Sequence, residues 1–213
     1  MKVELENVLP REIEARSFEI ITQELGDTPL IPGTELIVKR CIHTSADFDY
    51  AKNLCFSEGA VEKALRAIEG GACIVTDTQM AKAGINKKAL ARYGGEVYCF
   101  MSDEDVARAA KEQGTTRATA SMEKAAGLGK PLIFAIGNAP TALVRLYELM
   151  EEGKLSPELI IGVPVGFVNV VASKELIMQT DAPYIVAKGR KGGSNIAACI
   201  CNALLYMLNN SRE

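Results

Sequence analysis

From residue 58 onward, short continuous apolar runs alternate with longer stretches in which apolar positions recur every three or four residues. The runs "ACIVT", "EVYCFM", "PLIFAIG", "ELIIGV" and "YIVAKG" read as strands, because a strand covered on both faces needs no polar alternation. The stretches "EGAVEKALRAIEGG", "DEDVARAAKEQ", "TTRATASMEKAAGLG", "PTALVRLYELMEEG", "SKELIMQ" and "GSNIAACICNALLYMLNN" carry the helical period. Strand and helix in turn predict crossover units, hence an α/β fold with a mostly parallel sheet flanked by helices. Ahead of them, "PREIEARSFEIITQEL" and "PGTELIVKRCIH" predict an N-terminal helical segment, each helix with a proline near its start. No repeat or linker divides the chain, so residues 1–213 are expected to form a single domain.

In an open parallel sheet, ligands bind beyond the carboxyl ends of the strands. The strand exits "IVTDTQM", "CFMSDED", "AIGNAPT", "GVPVGF" and "VAKGRKGGSN" are rich in small, hydroxyl, amide and basic residues, and the site is expected there. In "AIGNAPT", Pro140 suits a first helical position, and the N–H groups of a helix start attract anions. Gly137 and Asn138 also suit a tight turn, and the spacing leaves both readings open. In "VAKGRKGGSN", Lys188, Arg190 and Lys191 stand among Gly189, Gly192 and Gly193 just before a long helix, which favours an anionic ligand. Neither loop matches the G-x-x-x-x-G-K-[ST] or G-x-G-x-x-G pattern, so nucleotide binding has only generic support. His43 is the only histidine. It stands three residues after Arg40, on one helical face, and its side chain type titrates near neutrality. A reagent and a packed spectator both remain possible from this spacing. Arg117 is a further cation, while Arg145, in mid-helix, is expected to face solvent.

Composition narrows the classes. The formal net charge is −3, which argues against a general electrostatic hold on nucleic acid or anionic membrane. The N-terminal stretch carries acids throughout and does not read as a signal peptide. The longest apolar run, "LIIGVPVGFVNVVA", is interrupted and falls short of the roughly 18 residues a span needs. A cytoplasmic protein is the expectation. The six cysteines then read as reduced, mostly buried thiols, and with no C-x-x-C pair and one histidine no protein-bound metal is expected.

The segments "SFEII", "VKRCIHTS", "VTDTQM", "TTRATA", "AIGNAPTAL", "GVPVGFVNVVASKE" and "VAKGRKGGSNIAA" together closely resemble, in order and spacing, the precorrin-8X methylmutase family. The resemblance covers nearly the whole chain. It implies an isomerase of cobalamin biosynthesis that moves a methyl group from C-11 to C-12 of a corrin ring, without a cofactor. It also implies that His43 is the proton donor and acceptor and that Ser17 and Arg40 contact substrate. Thr78, Arg117 and Asn138 fall in pocket motifs, and the resemblance implies a homodimer. Independently, a greasy macrocycle ringed by carboxylates wants an apolar floor with scattered cations, for which Arg40, Arg117, Lys188 and Arg190, with the helix entrance at Gly192 and Gly193, are suited. Two rivals stand beside this reading: a nucleotide-dependent enzyme using the two glycine loops, and a corrinoid carrier without catalysis.

Overall fold

The computed structural model describes residues 6–209. Its elements in chain order are α1 (Ile13–Leu25), α2 (Glu35–Ser45), α3 (Tyr50–Asn53), β1 (Leu54–Phe56), α4 (Ala60–Glu69) and β2 (Cys73–Thr76). There follow α5 (Gln79–Gly84), α6 (Lys87–Ala91), β3 (Val97–Tyr98), α7 (Glu104–Glu112), α8 (Arg117–Ala126) and β4 (Leu132–Ile136). The chain closes with α9 (Pro140–Glu151), β5 (Leu159–Gly162), α10 (Val170–Ile177), β6 (Tyr184–Ala187) and α11 (Ser194–Asn209).

The six strands form one sheet in the order β1-β6-β5-β4-β2-β3. All neighbours are parallel except the edge pair β1 and β6. Residues of β2, β4 and β5 are buried along their whole length, which is why these strands read as unbroken apolar runs. Successive residues serve opposite cores. Ile74, Ile133, Ile161 and Ile185 face a layer made with α1, α2, α4 and α11, while Val75, Phe134, Ile160 and Val186 face α7, α8 and α9. Burying each such side chain contributes roughly 1.5–3 kcal/mol.

Four elements escape the sequence pattern: α3, β1, α5 and α6. The "EVYCFM" run yields only the two-residue strand Val97–Tyr98. Helix α10 begins at Val170, three residues ahead of the expected "SKELIMQ" helix. The N-terminal helices are not an appendage, because Ile37, Val38, Cys41 and Ile42 of α2 are fully buried in the core shared with α11. No helix among the described residues is long and apolar enough to cross a membrane.

The strand order reverses between β2 and β4. From there the chain proceeds outward to β3 on one side and to β5 and β6 on the other. The loops leaving β2 and β4 therefore diverge, and this is the crevice where an open α/β sheet offers a ligand site.

Candidate active site

The crevice is built around Asp77, which has no exposed surface. Its carboxylate accepts the backbone N–H groups of Gly137 (2.8 Å), Asn138 (2.8 Å) and Ala139 (2.6 Å). Burial raises its pKa above the ordinary aspartate value, and the three N–H donors offset part of that rise. The start of α9 thus directs its backbone donors inward, and the "AIGNAPT" loop is a turn organised by a carboxylate. Within the loop the exposed residues are Asn138 and Thr141. Beside it, Thr78 caps α5 by accepting from Ala81 N–H at 3.1 Å, and its hydroxyl lies 2.8 Å from that of Ser194. A Cβ on Gly137 would sit 2.6 Å from the Ser194 Cα, so glycine is required where α11 enters the crevice. The backbone of Gly193 and Ser194 therefore packs directly on the "AIGNAPT" turn.

The second glycine loop is tied down in the same way. Lys174 is fully buried and donates to the carbonyls of Gly189 and Lys191, each at 2.8 Å. Burial lowers its pKa to about 8. Gly192 packs against the Val163 carbonyl so closely that any Cβ would collide with it. Lys191 pairs with Asp47 and Asp49, 2.6 Å from each, which joins this loop to the end of α2. All three cations expected in the loop are exposed, Lys191 as the partner of the two aspartates. Arg190 lies over the Phe167 ring, 5.3 Å from its centroid. Arg117 is exposed at the first position of α8, and the neighbouring Thr116 hydroxyl bonds that of Thr141 at 3.0 Å. That contact brings Arg117 to the start of α9, at the same end of the sheet as Asn138.

His43 is exposed near the end of α2. Its ring stacks on Phe18 of α1, with centroids 5.6 Å apart and planes inclined by 30°. Arg40 lies against the same Phe18 ring at 5.5 Å and against Tyr206 of α11 at 4.4 Å. Its guanidinium is 3.2 Å from Glu14. Burial lowers the Arg40 pKa, partly offset by Tyr206 and Cys199. The Nε atom of Arg40 is buried without a hydrogen-bond partner among the described residues. Ser17, half-buried beside Phe18, donates its hydroxyl to the Ile13 carbonyl of its own helix at 2.8 Å. Arg145 departs from expectation: its side chain is only 15% exposed, and it meets Glu123, Glu148 and Glu152 at 3.1, 2.8 and 3.0 Å.

Arg40, Thr44, Met80, Asn195 and Cys199 line an open cleft of about 330 Å³ between α2, α5 and α11. The cleft connects the His43 helix with the exit of β2. Around the carboxyl end of the sheet, Met80, Val165, Phe167 and Val168 expose 49–80% of their surface, an unusual concentration of apolar side chains in water. Phe18, Asp77 and Lys174 belong to this architecture; they lay in the segments "SFEII", "VTDTQM" and "GVPVGFVNVVASKE" singled out in the sequence, but none carried an individual signal.

The chain is an α/β domain with exposed apolar side chains, cations and a single exposed imidazole near the carboxyl end of its sheet. Residues 12–207 match the model of the precorrin-8X methylmutase family. The chain is 45% identical to the cobalt-precorrin-8 methylmutase of Priestia megaterium, over 95% of this chain and 90% of that one. It is 46% identical to the Salmonella typhimurium enzyme of the same name, over 95% and 97%. The crystal structure of precorrin-8X methyl mutase from Thermus thermophilus superposes with a TM-score of 0.85 at 39% identity, covering 94% of this chain and 98% of the other. The chain belongs to the precorrin-8X methylmutase family, isomerases of cobalamin biosynthesis.

Proposed function

We propose that this protein converts cobalt-precorrin-8 to cobyrinate by moving the C-11 methyl group to C-12, with His43 as proton donor and acceptor. The observation that carries the reading is the placement of His43: exposed, held flat against Phe18, and one turn from Arg40 on the same ring. A ring-stacked imidazole is oriented without being enclosed, which suits proton exchange with a planar ligand lying over it. The cobalt form is favoured because the relatives at 40–46% identity carry that name, while those named for precorrin-8X stand at 39%, 35% and 33% and two further cobalt-precorrin-8 relatives at 39% and 32%.

The shift is intramolecular: the methyl leaves C-11 with its bonding pair and bonds to C-12 as the double bonds relocate. No electrons enter or leave the molecule. Transient protonation of the conjugated ring by His43 makes C-12 a better acceptor, and the proton returns to the imidazole afterwards. A positioned acid contributes about 10²–10⁴ in rate. Arg40, Arg117, Lys188 and Arg190 hold peripheral carboxylates, with Ser17, Thr78, Asn138 and the backbone at Gly192 giving neutral contacts. The exposed Met80, Phe167 and Val168 form the apolar floor. The chain works as a single domain, in the cytoplasm and as a homodimer; light scattering tests the last point. Incubation with cobalt-precorrin-8 and with metal-free precorrin-8, followed by spectra and mass, tests the activity. The expected result is a changed chromophore at unchanged mass, faster with the cobalt form. Binding without conversion of either compound would establish a carrier instead.

A further inference from the structure

The loop that carries Lys188 and Arg190, two of the proposed carboxylate anchors, has three consecutive carbonyls engaged. Those of Gly189 and Lys191 accept from the Lys174 ammonium, each at 2.8 Å. That of Arg190, between them, accepts the Gly166 N–H at 3.1 Å. The ends of the loop are anchored too, since Lys188 N–H donates to the Asn53 carbonyl and Gly193 N–H to the Val163 carbonyl, both at 2.8 Å. Lys174 therefore sets the peptide plane before Arg190, and Gly166 sets the plane after it. With both planes held, the direction of the Arg190 Cα–Cβ bond is held as well, and the guanidinium is delivered to the Phe167 ring, 5.3 Å from its centroid.

Both clasps belong to one stretch of chain. Gly166 and Phe167 lie in the loop that enters α10, and Lys174 lies within that helix, so the exposed ring and the exposed cation are referenced to the same element. Lys174 is only 1% exposed. An ammonium buried there costs desolvation that an apolar side chain of similar length would not, but the apolar side chain would leave two carbonyls without their donor. We propose that Lys174 is a positioning residue for ligand binding, holding the 189–191 backbone so that Arg190 stands beside Phe167 to receive a carboxylate on the rim of a flat apolar ligand. The ring meets the apolar body of that ligand and the guanidinium its acid group. The inference rests on the corrinoid reading of the site and adds to it a residue that acts through Arg190 without touching the ligand.

The test is a double-mutant cycle on the full chain, with cobyrinate affinity read by calorimetry and KM and kcat for cobalt-precorrin-8 read on the same preparations. Arg190→Ala should weaken cobyrinate binding about tenfold, the loss of one charge-assisted hydrogen bond. Lys174→Met should weaken it by a similar factor and raise KM, while kcat per folded molecule stays within about twofold of wild type. The double variant should lose little more than either single one, because the two residues act as a unit. A loss of about a hundredfold in the double variant means independent effects and overturns the proposal. Wild-type affinity in Arg190→Ala or in folded Lys174→Met does so too, as does a fall in kcat at unchanged KM, the mark of a role in stability alone. Where Lys174→Met fails to fold, Lys174→Gln takes its place, its amide keeping two N–H donors on a side chain one atom shorter. Its loss should be about threefold in the wild-type background and absent in the Arg190→Ala background, and any other pattern overturns the proposal. Failure of wild-type protein to bind cobyrinate is a separate result, which removes the corrinoid reading and this inference with it.

Discussion

Replacing Asp77 with asparagine changes one atom of a side chain that organises the crevice. The carboxylate has one oxygen on Gly137 N–H and the other on both Asn138 and Ala139 N–H. An asparagine retains a single acceptor. In its better orientation the carbonyl keeps the two bonds to Asn138 and Ala139, while the amide NH₂ is turned onto the Gly137 N–H, donor against donor. Losing one hydrogen bond to a charged group costs about 1.5–3 kcal/mol, and leaving the Gly137 N–H unsatisfied adds to it. Relief from burying a charge offsets part of this, for a net loss of about 2–4 kcal/mol. At roughly 2–4 °C per kcal/mol for a chain of this size, the melting temperature should fall by about 5–15 °C. The assay is thermal unfolding by circular dichroism. The pH dependence adds a sign. Because burial raises the Asp77 pKa, its contribution is fully present below the ordinary aspartate pKa and diminishes as pH rises through the elevated one. The stability difference between wild type and variant should therefore narrow as pH rises through that window. A variant melting within about 2 °C of wild type at every pH would refute the assignment of Asp77 as organiser of the loop.

Three further outcomes follow from the cations. Arg117→Ala should leave thermal stability unchanged and weaken product affinity by about tenfold or more, the equivalent of one charge-assisted hydrogen bond, measured by calorimetry. Arg40→Ala should do both, because its guanidinium also bridges Phe18, Tyr206 and Glu14, and cation–π contacts contribute about 0.5–2 kcal/mol each; unfolding scans beside the binding assay separate the two effects. For Lys174, a folded-state pKa of about 8 against an unfolded value near 10.4 means that stability rises with pH between those values. A Lys174→Met variant should lack that rise, so paired denaturant titrations at pH 7 and pH 10 should show wild type gaining relative to the variant.

The sheet was legible because its central strands are buried on both sides and its helices keep one apolar face. The edge strand Leu54–Phe56 was not, since three residues carry no period and its antiparallel pairing with β6 is a tertiary event. Helices α5 and α6 hid because each is at most six residues long, although a crossover between β2 and β3 demands something there. At the site, the spacing of Arg40 and His43 foretold their shared face, while Phe18, which joins them, lay unremarked within the "SFEII" segment. Asp77 and Lys174 were invisible for a common reason. Each is a buried polar group whose partners are backbone atoms, sixty residues away for Asp77 and at least fifteen for Lys174, and such partnerships leave no local pattern. Both also revised the chemistry, because the loops that resembled anion cradles have backbone groups already engaged within the fold.

The most direct test of the proposed catalysis is single-turnover isomerisation of cobalt-precorrin-8 by a His43→Asn variant, with thermal unfolding and product affinity measured on the same preparation. Asparagine keeps much of the size and hydrogen-bonding capacity of histidine but exchanges no proton near neutral pH. Because His43 is exposed and the proposed carboxylate anchors lie on other residues, folding and affinity should remain close to wild type. Turnover should fall by about 10²–10⁴. Near-normal turnover in the folded variant would contradict the account, leaving position and electrostatics as the source of the rate enhancement.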